Sequence, residues 1–162
     1  MAALPLFRAI QDSVLGSTIS QSTWMFPTIE TVHVMALSAV IGSIVVVDLR
    51  LLGLASKDRP ISVLTHEFLP WTWGAFALAA ISGTLLFTSR AADYMALKPF
   101  VTKFVFMALA GANMIWFHLA TQRSMKDWDT GEPARAAKAA GLVSLVLWFL
   151  IVICGRQVGF NL

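Results

Sequence analysis

Three histidines, one on each of the first three apolar segments, are the residues of this 162-residue chain best suited to chemistry. His33 lies in IETVHVMALSAVIGSIVVV, His66 just ahead of LPWTWGAFALAAISGTLLF, and His118 in FVFMALAGANMIWFHLA. An ionisable side chain inside or at the edge of a bilayer is costly, which makes each a candidate functional residue. Imidazole is the usual protein ligand of haem iron and a common ligand of other metals. The competing use is structural: a neutral histidine hydrogen-bonded to a neighbouring helix.

The residues around them sharpen the possibilities. Glu30 precedes His33 by three positions and shares its helical face. Glu-x-x-His is a ligand pair of di-iron bundles, where a second copy is needed; with one copy, Glu30 is better placed to orient the imidazole or to take part in proton transfer. Gly111, seven residues before His118 on the same face, would leave a gap where a porphyrin could rest. Asp48 and Arg50, two apart, point to different faces and are expected to meet loop charges or lipid headgroups; Arg50 is also a candidate partner for a haem propionate. Cys154 is the lone cysteine and reads as a small apolar filler. With no Cys-x-x-Cys-His, any haem would be held without covalent attachment.

The elements that must position these residues are membrane helices. Hydrophobic residues make up 57% of the chain and charged ones 13%, about half of what a soluble domain carries. The mean hydropathy is +0.74. Each of four apolar segments reaches the roughly 20 residues that a helix needs to cross the hydrocarbon core. The expectation is an all-α, four-transmembrane-helix bundle in one integral membrane domain, with crossings over about residues 25–50, 63–89, 99–122 and 133–156. Residues 5–15 carry Leu6, Phe7, Ile10 and Val14 on one face and Arg8, Gln11 and Asp12 on the other, with Pro5 at the first turn and Gly16 as a stop. This predicts a short N-terminal amphipathic helix in the interface plane, or one docked on a partner subunit, rather than a cleavable leader. Pro70 should kink or restart the second crossing. In the link DWDTGEP, Thr130 or Asp129 should cap the fourth, ahead of Pro133. Trp24, Trp71 and Trp73 suit interfacial belts. Small residues on the first crossing (Ala36, Ser38, Ala39, Gly42, Ser43) and the third (Ala108, Ala110, Gly111, Ala112) allow close helix approach.

Depth then selects the pairs. At 1.5 Å per residue, His118 lies about 4–5 Å inside the edge opposite the N-terminus (side B), and His66 at or just beyond that edge. His33 lies about 12 Å in from the N-terminal edge (side A), on the order of 10–18 Å from His118 in height. The favoured pair is His66 with His118. Side B holds Arg50, Lys57, Arg59, Arg123, Lys126, Arg135 and Lys138; side A holds Arg8, Arg90, Lys98, Lys103 and Arg156. Seven against five puts side B in the cytoplasm and both termini outside, in the periplasm of a bacterial cell. A net charge of +3, scattered through loops, argues against nucleic acid as a partner.

The stretch Trp24-Met25-Phe26-Pro27-Thr28-Ile29-Glu30-Thr31-Val32-His33, then Asp48-Leu49-Arg50-Leu51-Leu52-Gly53-Leu54 and Pro70-Trp71-Thr72-Trp73, resembles a family of small uncharacterised bacterial inner-membrane proteins. The likeness runs from Trp24 to about His118 and brings no function with it. More loosely, four helices with histidines near their ends are similar to b561-type cytochromes and to the copper-resistance D membrane domain. The b561 likeness implies haem clamped between facing helices and electrons passed from quinol to an acceptor. A two-haem core of that kind wants four histidines and this chain has three, so one intrachain bis-histidine haem is the most it can hold unless oligomerisation completes a second site.

Three functions are therefore expected in order. The first is a b-type haem protein in electron transfer, at most a membrane oxidoreductase: haem b on His66 and His118, and a second haem, quinone or proton site at His33 with Glu30. The second is a non-catalytic subunit or homo-oligomeric scaffold of a larger membrane complex. The third is a metal or proton transporter using Glu30, His33 and His66, disfavoured by the few intramembrane polar residues in line.

Overall fold

The computed structural model describes residues 4–120 and 128–161. Seven helices are formed there: α1 Leu4–Gln11, α2 Val14–Gln21, α3 Met25–Leu51, α4 Ile61–Ser89, α5 Ala91–Ala96, α6 Lys98–Ala120 and α7 Arg135–Phe160. Helices α3, α4, α6 and α7 are long and apolar enough to cross a membrane. Their outward faces are rich in exposed Val34, Met35, Ile81, Phe104, Val105, Leu109, Ile115 and Phe149. Such continuous apolar surface suits hydrocarbon and would be a liability in water.

The expected crossings agree with these helices to within two residues, apart from two ends. The fourth runs on to Phe160, and the expected end of the third at residue 122 lies outside the described residues. Pro70 sits inside an uninterrupted α4, correcting the expected restart. Its missing N–H leaves only the His66 carbonyl without the usual helical bond, a loss a membrane helix can absorb.

The packing order is α4–α3–α7–α6: α3 packs on α4 and α7, and α7 on α6, whereas α4 and α6 make at most marginal contact. Polar side chains pin each interface. The Thr72 and Ser43 hydroxyls, on α4 and α3, are 2.7 Å apart, and Asn113 of α6 donates to the Ala140 carbonyl of α7 at 3.0 Å. A Cβ on Gly141 would stand 3.1 Å from Leu51 Cβ and 3.2 Å from the Asp48 carbonyl, so this glycine sets how closely α3 and α7 approach. Of the expected small-residue surfaces, Ala36, Ser43 and Ala110 are buried, whereas Ser38, Ala39, Gly42, Ala108 and Ala112 are exposed.

The single amphipathic helix expected over residues 5–15 is instead two short helices. Ser13 accepts from the Gly16 N–H and so caps α2, and its hydroxyl donates to the Ile10 carbonyl. Gly16 is thus not a stop: a Cβ there would lie 2.6 Å from the Thr88 carbonyl, where α2 docks on the end of α4. Gln11 accepts from the Ala92 N–H at the start of α5. The N-terminal pair is tied to its own chain.

Candidate functional site

His118 stands two residues before Ala120, the last described residue of α6, and is half-buried. Its Nδ1 lies 2.8 Å from the Met114 carbonyl of the preceding turn. A carbonyl only accepts, so Nδ1 carries the proton, and in the neutral ring Nε2 keeps its lone pair for a ligand. Metal-bound histidines are commonly held in this way, with the other ring nitrogen on a carbonyl. The ring lines a cleft of about 190 Å³ between α4 and α6, together with Leu69, Trp73, Met114, Ile115 and Leu119. The cleft lies where α4 and α6, at the two ends of the packing order, do not pack together. Its wall is almost wholly apolar.

His66 precedes Leu69 by three and Trp73 by seven residues, so it belongs to the α4 stripe that faces this cleft. It is exposed and makes no side-chain hydrogen bond among the described residues. One turn of α4, about 4.5 Å along the axis, separates it from the Leu69 level. Gly111, seven residues before His118, continues the α6 stripe, and a Cβ there would meet nothing within 4 Å.

His33 belongs to a different group, between α3 and α4 toward side A. Its Nδ1 is 3.0 Å from Ser82 Oγ. The Ser82 hydroxyl gives its own proton to the Leu78 carbonyl at 2.7 Å, so it accepts from the imidazole, and the Ala79 carbonyl is a further hydrogen-bond partner of the ring. Room for the ring comes from Gly83, where a Cβ would fall 2.9 Å from His33 Cε1. Ser82, not Glu30, orients this imidazole. Glu30 is exposed and lies close enough to act electrostatically on Tyr94, as Arg90 and Asp93 also do. Lys103 of α6 lies close enough to act electrostatically on both His33 and the buried Cys154. No group of three or more His, Cys, Asp or Glu side chains gathers as a metal site among the described residues. The candidate donors are separate imidazoles.

Asp48 does not face the loops or headgroups as expected, whereas Arg50 does turn to the side B loops, through their carbonyls and toward the Asp129 charge. Arg50 is 1% exposed; its Nε donates to the Arg59 carbonyl at 2.9 Å and its Nη2 to the Asp129 and Gly131 carbonyls at 3.2 and 3.4 Å. It stitches the two side B connections to α3 and does not line the His118 cleft. Asp48 is 5% exposed with Oδ2 unpartnered, facing α7 beside the Ser144 hydroxyl. Its neighbourhood follows from helical geometry: two residues along a helix turn the side chain most of the way round.

Side B is closed by a small core of Leu51, Ile61, Trp128 and Ala137. Asp129 does cap a helix, but α4 rather than α7: its carboxylate accepts from the Ser62 N–H at 2.7 Å and the Ser62 hydroxyl at 2.6 Å. Those bonds hold its carboxyl below the usual carboxylate range. Helix α7 begins after Ala134 with no side-chain cap. Ser82, Gly83, Lys103 and the capping role of Asp129 toward α4 escaped sequence reasoning. Only Lys103, a charge five residues into an apolar helix, carried a signal that could have been read.

A fold of four membrane-length helices with isolated imidazoles at the helix faces defines the class. The chain belongs to a family of unknown function, DUF6644, whose model matches residues 6–161. No curated protein and no solved structure matches it.

Proposed function

We propose that this chain is a b-type haem-binding membrane protein in electron transfer, with haem seated in the α4–α6 cleft between His66 and His118. The observation that carries the reading is the pairing of stripes: His118 lines the cleft with its Nδ1 proton given to Met114, and His66 shares the opposing stripe of Leu69 and Trp73. Bound there, haem would supply one-electron chemistry at a potential set by ligation and burial. Leu69, Trp73, Ile115 and Leu119 would keep water from its faces, and the Met114 carbonyl would raise the basicity of the His118 ring. His33, Ser82 and Lys103, near side A, offer hydrogen-bonding groups for a proton or a quinone headgroup, with a quinol or other redox protein as partner. Arg50, which does not line this cleft, is not carried forward as a propionate partner. The location that fits is a bacterial inner membrane, with side B cytoplasmic and both termini periplasmic.

Haem content per chain tests this in variants. His118→Ala and His66→Ala should each lose at least most of the haem, and His33→Ala should keep it. Full haem in His118→Ala would overturn the assignment. A second reading, a homo-oligomeric or subunit role, is favoured by α6, of whose 23 residues only Ala110 is buried. It predicts a colourless protein that migrates as an assembly in mild detergent.

A further inference from the structure

We propose that the side B pocket between the ends of α3 and α7 binds the phosphate headgroup of an anionic phospholipid. The pocket, of about 290 Å³, is lined by Arg50, Lys57, Lys138 and Glu132, with Thr130 and the backbone at Gly53 and Gly131 completing the wall. Among the described lining residues three cations face one carboxylate, which is spent on Lys138, the donor to Glu132 at 2.5 Å, while Asp129 outside the lining acts on Arg50. The pairing holds the exposed Glu132 carboxyl below its usual range, with Lys57 adding a weaker pull from across the mouth. The floor is preformed: Arg50 is 1% exposed and fixed by three carbonyls, so its charge cannot move away from an incoming anion. Helix α7 starts at the rim without a side-chain cap, and its free first-turn N–H groups add to the positive potential.

Height and direction favour a lipid over a soluble anion. The pocket joins the last turn of α3 to the first turn of α7, the level of headgroups for helices of this length. From Lys138 the same face of α7 continues through Leu142, Val146 and Phe149, which are 54%, 51% and 68% exposed. That stripe is an apolar track for an acyl chain leading away from the phosphate. Basic pockets between membrane helices are the usual seat of anionic headgroups, each Lys or Arg near such a surface adding about 1 kcal/mol.

The test titrates the delipidated full chain in a neutral detergent with phosphatidylglycerol, phosphatidylcholine or inorganic phosphate. Binding is followed by native mass spectrometry and thermal unfolding. Phosphatidylglycerol should bind and raise Tm, and phosphatidylcholine should do so at least tenfold more weakly. Lys57→Gln with Lys138→Gln should weaken phosphatidylglycerol binding roughly 30-fold, and Lys57→Gln alone, a loop change with no fold to break, about fivefold. Equal affinity for the two lipids, or unchanged binding in Lys57→Gln, would overturn the proposal. Stabilisation by inorganic phosphate equal to that by phosphatidylglycerol would assign the pocket to a free anion and overturn the lipid.

Discussion

At the scale of single residues, His33 and His118 share one device: Nδ1–H is given to an acceptor of the bundle. In His118 the acceptor is its own helix; in His33 it is Ser82, 49 residues away. Gly83→Ala would drive a methyl into the His33 ring at 2.9 Å, and the ring would have to leave Ser82. A cost of about 1–3 kcal/mol is expected, read as a lowered Tm in detergent. Ser82→Ala, which removes the bond and leaves the space, should cost less, about 0.6–1 kcal/mol. If Gly83→Ala is the milder of the two, the ring does not lie where the geometry puts it. The histidines themselves were legible in the sequence, since a titratable group in an apolar run stands out. Their partners were not. Glu30 was favoured because it is three residues away on the same face, but the chain's hairpin brings Ser82 closer, and local spacing carries no information about that.

At the scale of elements, the four long helices were readable because each is a near-continuous apolar run, and length alone fixes what such a run does. The caps were harder. Asp129 precedes α7 in sequence and could have capped it, yet tertiary folding lays this link across the start of α4, where Ser62 offers two donors to its carboxylate. Asp129→Ala should destabilise the chain by about 0.5–2 kcal/mol. The same carboxyl sets a pH dependence. Its folded value is depressed by the Ser62 bonds, so its stabilisation is fully present above the unfolded value near 3.9 and is lost as pH falls through the lower folded one. Thermal unfolding followed from pH 5 downward should therefore show a loss that Asp129→Asn, which can still cap but cannot titrate, lacks. An identical pH profile in Asp129→Asn would remove this carboxyl from the account. The break between α1 and α2 was also hidden, because Ser13 and Gly16 are ordinary turn residues until Thr88 is known to press on Gly16.

At the scale of the whole molecule, a row of four helices in which the first and last partners, α4 and α6, stay apart leaves one face of the bundle open. The proposed haem site and the open cleft are the same feature, and no local sequence pattern announces a missing contact between two helices. In the proposed topology four crossings return both termini to one side, and the excess of basic residues argues for side B in the cytoplasm. In intact cells a membrane-impermeant maleimide should label Ser20→Cys and spare Asp58→Cys, both exposed positions, against a low background from buried Cys154. The reverse pattern would invert the topology. The central claim is the haem, and a reduced-minus-oxidised visible spectrum of the purified chain, calibrated by a pyridine haemochrome assay, tests it most directly. The account predicts the sharp α-band of a six-coordinate b-type haem at about one per chain. A featureless spectrum from protein made in haem-replete cells would contradict it.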